Sequence, residues 1–237
     1  MKDILVTGGS QGIGLEFTRQ YLQKGWRVYA ASRKSADSEG LRQLHAQYND
    51  QLVIQRLDVA DEGSRANFFQ VLAAEIEKLD VLINNAGVIS GNEQFSAPFG
   101  ELQQEDLCRV LLVNSVAPLM MAEGALPWLK KGAKPVVVNI TSDNGSIRMR
   151  SSGGKYGYCT SKAALNMITK ILSFDLREHG VKVIALHPGW VQTPMTRNEK
   201  APLTPEESIQ GMLQVIEALG IEDNGRFLDW RGKEIPW

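Results

Sequence analysis

This sequence predicts a doubly wound α/β fold: a mostly parallel sheet of about seven strands, with helices on both faces. Three observations predict it. Short runs rich in Val, Ile and Leu alternate with longer segments of helical period along the chain. Those runs are continuously apolar, as expected of strands covered on both faces. A cluster of glycines stands between the first run and the first helical segment, where such folds turn from strand to helix.

The predicted strands cover residues 4–6, 27–31, 52–57, 81–83, 136–140, 181–186 and 227–228. The helical segments between them are 13–25, 61–78, 101–131, 158–179 and 204–219. The first ends on Gly25, which suits a left-handed helix stop. The third carries Leu107, Val110, Leu111 and Asn114 at helical spacing. The fourth lines up Leu165, Ile168 and Leu172 on one face. The fifth opens on Thr204-Pro205-Glu206-Glu207, a helix-start signal. No repeat, low-complexity tract or linker divides the 237 residues, so one domain is expected. Three irregular stretches (88–100, 143–155 and 188–202) each follow a strand at its carboxyl end. Ligands bind at that edge in open α/β sheets.

Composition narrows the function. Hydrophobic residues make up 43% and charged residues 22%, an ordinary globular mix. The 26 basic and 27 acidic residues leave a net charge of -1. No basic stripe offers phosphate neutralisation, so no nucleic-acid partner is expected. Cys108 and Cys159 lack metal-ligand or disulfide-framework spacing and read as reduced thiols, and no metal is expected. No uncharged apolar run reaches the ~18–20 residues of a membrane span, and Asp3 precedes the first strand where a leader would need an apolar stretch. A cytoplasmic protein with no membrane partner is the expectation.

The glycine cluster is Thr7-Gly8-Gly9-Ser10-Gln11-Gly12-Ile13-Gly14. Gly8 lets the chain turn off the strand, Gly12 lets backbone approach a phosphate, and Gly14 lets helix and strand pack closely. With Ser10, Gln11 and Ile13 they form a candidate pyrophosphate site at a helix N-terminus. The spacing is G-x-x-x-G-x-G rather than the commoner G-x-G-x-x-G. The second strand ends Ala30-Ala31-Ser32-Arg33-Lys34, without the acidic residue that would hold the ribose 2′-hydroxyl of NAD. Arg33 is placed to meet a 2′-phosphate, which favours NADP(H). Asp58, followed by Val59, either accepts from the adenine amino group or caps the helix that starts near Asp61.

Tyr158-Cys159-Thr160-Ser161-Lys162 puts a phenol and an ammonium one helical turn apart. The lysine charge is expected to lower the phenol pKa and make Tyr158 usable as an acid or base nearer neutrality. Ser142 ends the fifth strand, Asn84-Asn85-Ala86-Gly87 ends the fourth, and Asn114 lies inside a helix, where Asn has poor propensity.

Taken in order, residues 7–14, 84–87, Asn114, Ser142, Tyr158 with Lys162, and Pro188-Gly189 resemble the short-chain dehydrogenase/reductase family from end to end. Within it the chain is most similar to carbonyl reductases of the sniffer and C-factor type. Residues 12–16, His187-Pro188-Gly189-Trp190-Val191-Gln192-Thr193 and the tail 230–237 carry that closer likeness. The resemblance implies a Rossmann-like fold and an NADP(H)-dependent oxidoreductase that reduces a small aldehyde, ketone or quinone. It implies a catalytic set of Asn114, Ser142, Tyr158 and Lys162. Tyr158 would protonate the substrate oxygen and Ser142 would hydrogen-bond it. Lys162 would hold the nicotinamide ribose, and Asn114 would position a water. Asn85, Ala86 and Gly87 would border the adenosine ribose, while Pro188, Gly189, Val191 and Thr193 would lie along the nicotinamide. It also implies a homodimer or homotetramer, with the 101–131 and 158–179 helices pairing across subunits. Ser142 and Tyr158 are 16 positions apart, a few more than is usual in the family. The flexible composition of residues 145–155 is expected to let them meet.

Some residues are set aside. Tyr156 lacks a lysine four residues on and is a decoy, or a pocket wall. His187 reads as a structural hydrogen-bonder, His45 and His179 as helix-surface residues, and Cys159 as a packed thiol. Met120 and Met121 suit helix packing. Trp190 and Met195 are candidate walls of an apolar pocket, Trp237 a candidate subunit contact, and residues 194–202 a candidate lid. The alternative is a non-enzymatic, dinucleotide-binding signalling protein of the same fold, which has no use for Tyr158 beside Lys162. A sugar-nucleotide epimerase would need a substrate domain that the segment after Thr193 does not provide.

Overall fold

The computed structural model describes residues 1–89, 97–195 and 201–237. Seven parallel strands form one sheet: β1 Asp3–Thr7, β2 Arg27–Ser32, β3 Leu52–Arg56, β4 Val81–Asn84, β5 Val136–Ile140, β6 Lys182–His187 and β7 Phe227–Asp229. Their order across the sheet is β3-β2-β1-β4-β5-β6-β7. The direction of winding reverses between β1 and β4, which opens a crevice at their carboxyl ends. The predicted class holds.

The strand side chains alternate between two cores. Ile4, Val6, Val81, Ile83, Val136, Val138, Ile184 and Leu186 face one side. There they meet Phe17 and Tyr21 of α1 (Gly12–Gln23) and Ile209, Met212, Leu213 and Ile216 of α7 (Pro205–Ala218). Leu5, Leu82, Val137 and Val183 face the other side, under Phe68 and Leu72 of α3 (Glu62–Leu72), Met121 and Ala125 of α5 (Ala117–Leu129), and Leu172 of α6 (Tyr156–Asp175). Burial on both faces is why the strands read as continuous apolar runs. A capping box between Thr204 and Glu207 starts α7, as its sequence signal predicted.

The structure differs from the sequence reading in four places. Helix α2, Glu39–Tyr48, is absent from the predicted elements. It buries only Leu41 and Leu44, too few apolar positions to give a periodic signal, and Ser38 caps it through a hydrogen bond from Leu41 N–H. Helix α3 ends at Leu72, short of the predicted residue 78. The long predicted helix is α4 (Gln104–Leu111), a π-helical turn at Leu112–Val116, and α5. Its 26 residues have the length and mean apolarity of a membrane span, which the uncharged-run criterion missed. Here the rod is a core helix whose Ala117, Met121, Ala122, Ala125 and Leu129 pack on the sheet. Finally, α6 begins at Tyr156 and ends at Asp175, followed by a 3-10 turn at Arg177–His179.

Candidate active site

The glycine loop is built by backbone geometry. Gly8 and Gly12 hold φ of +67° and +53°, a region that side chains disfavour. A Cβ on Gly14 would overlap the Gly8 carbonyl oxygen, so helix and strand approach this closely only with glycine there. The Thr7 hydroxyl donates to Ile83 O (3.3 Å) and accepts from Asn85 N–H (3.0 Å) and Ala86 N–H (3.1 Å). Asn85 Nδ2 returns bonds to Thr7 O (2.9 Å) and Gly8 O (3.2 Å). The ends of β1 and β4 are thus tied at the crevice. Thr7 was not singled out from the sequence, because only the neighbouring strand reveals what its hydroxyl joins.

A cleft of about 600 Å³ runs along these strand ends. Gly8, Ser10, Gln11, Gly12, Ile13 and Gly14 line it, as do Arg33, Asp58, Val59, Asn85, Ala86 and Gly87. Tyr158, Lys162, Pro188 and Thr193 line its other end. Of the predicted cofactor residues, Gly189 and Val191 lie behind this wall. Gly189 has a φ of +82° and packs against Leu203 and Trp230, and Val191 is buried. Arg109, Val113 and Met195 also line the cleft. No motif or spacing singles out the first two.

The residues present fit a dinucleotide. Helix α1 has no acidic residue in its first turn and no side-chain cap, so its N–H groups and positive end face the cleft unneutralised. The Ser32 hydroxyl is buried and has no hydrogen-bond partner among the described residues. The exposed Arg33 and Lys34 stand beside it on the cleft wall. Asp61, not Asp58, caps α3, accepting from Ser64 N–H at 2.6 Å. Asp58 Oδ1 accepts from Ala60 N–H (3.1 Å), which leaves carboxylate capacity toward the cleft.

At the other end, β5 delivers Ser142 and α6 delivers Tyr158 and Lys162. The Ser142 and Tyr158 side chains are hydrogen-bonded across the 16-position gap. A 3-10 turn at Asp143–Gly145 takes up the start of that gap. Arg150 binds the carbonyls of Gly153 (2.7 Å) and Gly154 (3.2 Å), Asn144 Oδ1 (3.5 Å) and Cys159 Sγ (3.4 Å), and so pins the loop to α6. Asn166 accepts from the Thr141 hydroxyl (2.7 Å) and donates to Gly145 O (3.2 Å), fixing the same turn from behind. Cys159 is therefore partly exposed and hydrogen-bonded rather than a packed thiol.

The electrostatics correct one expectation. Lys162 Nζ donates to Ile140 O at 2.8 Å and lies 5.8 Å from the Tyr158 ring centroid. Burial lowers its pKa to about 8. Tyr158 is not pulled toward neutrality: burial pushes the half-buried phenol up to about 12, the bond from Ser142 works the other way, and the charges of Asp143 and Cys159 raise it further. Desolvation outweighs the Ser142 bond, so the phenol is protonated across the neutral range.

Asn114 is fully buried in the π-helical turn. It accepts from Val88 N–H (2.8 Å) and donates to Val88 O (2.9 Å) and Ser161 Oγ (3.0 Å). Its side chain braces the loop behind Gly87 and does not reach the cleft. The His187 side chain makes no hydrogen bond among the described residues: Nδ1 is buried without a partner there, and Nε2 lies 4.0 Å from Asp143. Tyr156 leans on Phe99 (6.0 Å between ring centroids) outside the cleft. Trp190 is half-exposed, Met195 lines the cleft, and Trp237 packs on Phe227 of its own chain. Of the candidate lid, residues 196–200 lie outside the described residues.

The family model described as short chain dehydrogenase matches residues 2–203. The chain belongs to that family. It is an oxidoreductase of the short-chain dehydrogenase type, and its relatives include the C-signal protein of Myxococcus xanthus. That protein is 44% identical over 159 residues, which cover 67% of this chain and 93% of the relative. Among solved structures, the carbonyl reductase Sniffer of D. melanogaster superposes with a TM-score of 0.93 at 31% identity, covering 100% of both chains. The NADPH-bound carbonyl reductase from chicken fatty liver gives 0.90 at 34% identity, covering 100% of this chain and 99% of that one. The short-chain dehydrogenase fold is thus shared along the whole length with both carbonyl reductases.

Proposed function

We propose that this short-chain dehydrogenase is an NADP(H)-dependent carbonyl reductase acting on a small aldehyde, ketone or quinone. The observation that carries the reading is one continuous cleft. Its glycine loop and Arg33 stand at one end, and Lys162 and the Ser142-bonded Tyr158 at the other. Arg33 and the N-terminus of α1 bind the phosphates, and Asp58 and Val59 bind the adenine. Lys162 and Thr193 hold the nicotinamide half, with Pro188, Gly189 and Val191 shaping the wall behind it. NADPH, when bound, supplies the hydride.

Tyr158 gives its proton to the substrate oxygen. A phenol with a pKa near 12 is loaded with that proton throughout the neutral range, which suits reduction. Ser142 hydrogen-bonds the same oxygen and stabilises charge as it develops there. Asn114 keeps the residues flanking the cleft in register. The homo-oligomer implied by the family has an apolar face available: Leu112 and Val116 beside Met167, Ile171 and Phe174, all exposed on neighbouring helices.

The test is Tyr158→Phe, assayed with a panel of aldehydes, ketones and quinones. Turnover is expected to fall by about 10²–10⁴-fold while NADPH affinity stays within a few-fold of wild type. Wild-type turnover in the variant would reject the assignment. An intact protein that binds NADPH but reduces no carbonyl would favour the signalling alternative.

A further inference from the structure

Asp143 follows Ser142 in the turn after β5 and is half-exposed. Four groups from three residues compete for the Ser142 hydroxyl. Its hydrogen faces Asp143 Oδ1 at 3.0 Å. Its oxygen faces Asn144 N–H at 3.1 Å and Asn144 Nδ2 at 3.3 Å. The Tyr158 side chain is its remaining partner. Both Asn144 groups are donors only, and a carboxylate is an acceptor only. The single serine hydrogen therefore has two destinations, Asp143 or the oxygen of Tyr158. A carboxylate is the stronger acceptor, since charge-assisted bonds are roughly twice as strong as neutral ones. The serine oxygen keeps the Asn144 N–H on one lone pair and offers the other to the phenol O–H in place of the longer Asn144 Nδ2 contact, since that amide also reaches Asp143 Oδ1.

We propose that Asp143 is a positioning residue that acts through Ser142: it takes the serine hydrogen, turns the serine oxygen toward Tyr158 as an acceptor, and so keeps the proton on the phenol until a substrate oxygen arrives. This rests on Tyr158 being the proton donor. Ionising the phenol would require the serine hydrogen to swing from Asp143 to the phenolate, giving up a charge-assisted bond. When a carbonyl oxygen enters, the phenol O–H leaves Ser142 for it and passes its proton across, and the serine hydrogen swings from Asp143 onto the same oxygen as charge develops there. The other ionisable groups near the phenol are Cys159 and Lys162 on α6, with Arg150 and Lys155 acting on Cys159. His187 at the end of β6 faces Asp143 and, from β7, Asp229, and burial holds its pKa down, so the imidazole is neutral at neutral pH. Asn144 Nδ2 also donates to Asp143 Oδ1 (3.1 Å), which fixes the carboxylate in place.

The experiment is a titration of Tyr158 in the cofactor-free protein, followed by the 13C signal of ring-labelled tyrosine and assigned with Tyr158→Phe. At pH 11 a phenol with a pKa of about 12 is roughly one-tenth ionised. Asp143→Asn keeps an acceptor oxygen but removes the charge; Asp143→Ala removes both. Each is expected to lower the phenol by roughly half a unit or more, raising ionisation at pH 11 to about a quarter or above. The Asp143→Ala shift should shrink in a Ser142→Ala background, where there is no serine hydrogen to release. A second measurement is the ascending limb of alcohol oxidation against pH, which should move down by the same amount. A folded Asp143→Ala protein with both readouts unmoved overturns the proposal. So does a shift of equal size without Ser142, which would mean that charge alone acts. Retained turnover in Tyr158→Phe would sink the catalytic reading instead, and the tyrosine titration would still report what Asp143 does.

Discussion

The two ends of the cleft are built in opposite ways. The nucleotide end is local: eight consecutive residues, Thr7 to Gly14, carry the strand exit, the turn and the helix start. Its shape follows from missing side chains and positive φ angles, which are properties of the residues themselves. The catalytic end is assembled. Ser142 comes from the end of β5, Tyr158 and Lys162 from α6, and the bracing Asn114 from a π-helical turn. Their distances are set by the sheet register, by the Arg150 clamp and by Asn166 behind the turn. A locally encoded site is robust to changes elsewhere but intolerant of substitution within itself. An assembled site inherits its electrostatics from whatever packs around it, and for that reason Tyr158 came out with a raised pKa.

Gly14→Val should break the local end most severely. The added side chain meets the Gly8 carbonyl and the Asn85 amide, and neither can retreat while β1 and β4 stay paired. NADPH binding is expected to be lost and stability to fall by about 1–3 kcal/mol, as read by fluorescence titration and chemical melts. Unimpaired binding would show that the shape of the loop is not set locally.

Arg33→Ala should act more narrowly. Removing a charged donor to a phosphate is expected to weaken NADPH by about 10–100-fold and NADH by no more than a few-fold. Equal losses for both would place the 2′-phosphate elsewhere.

The smallest effect tests the assembled end. Burial holds Lys162 near 8, against 10.5 for a free lysine. Between those values only the unfolded chain keeps the proton, so this group's contribution to stability should rise as pH climbs through that window. Cofactor-free wild type should gain on the order of 1–2 kcal/mol relative to Lys162→Met between pH 8 and 10. A flat difference in urea melts would mean that Lys162 is better solvated than its packing implies.

Much of the site was legible because its residues are chemically conspicuous. Gly8, Gly12 and Gly14 after an apolar run, and a tyrosine with a lysine four residues on, announce themselves. Thr7, Asn144, Arg150 and Asn166 do not. Each is an ordinary polar residue whose importance lies in a partner on another segment. Helix α2 escaped notice because it buries two leucines rather than a full stripe. The long predicted helix hid its π turn because apolar spacing does not register one extra residue per turn.

By itself the sequence determined the winding of the fold, the anion-binding loop and the identity of the phenol–ammonium pair. Each follows from hydrophobic period, glycine conformation or one-turn helical spacing, all short-range properties. Only the tertiary structure decided the state of that pair: Lys162 turned onto Ile140, Tyr158 kept protonated, and Ser142 shared between Tyr158 and Asp143. Desolvation and competition for a single hydrogen depend on which groups surround an atom, and chain order does not specify that.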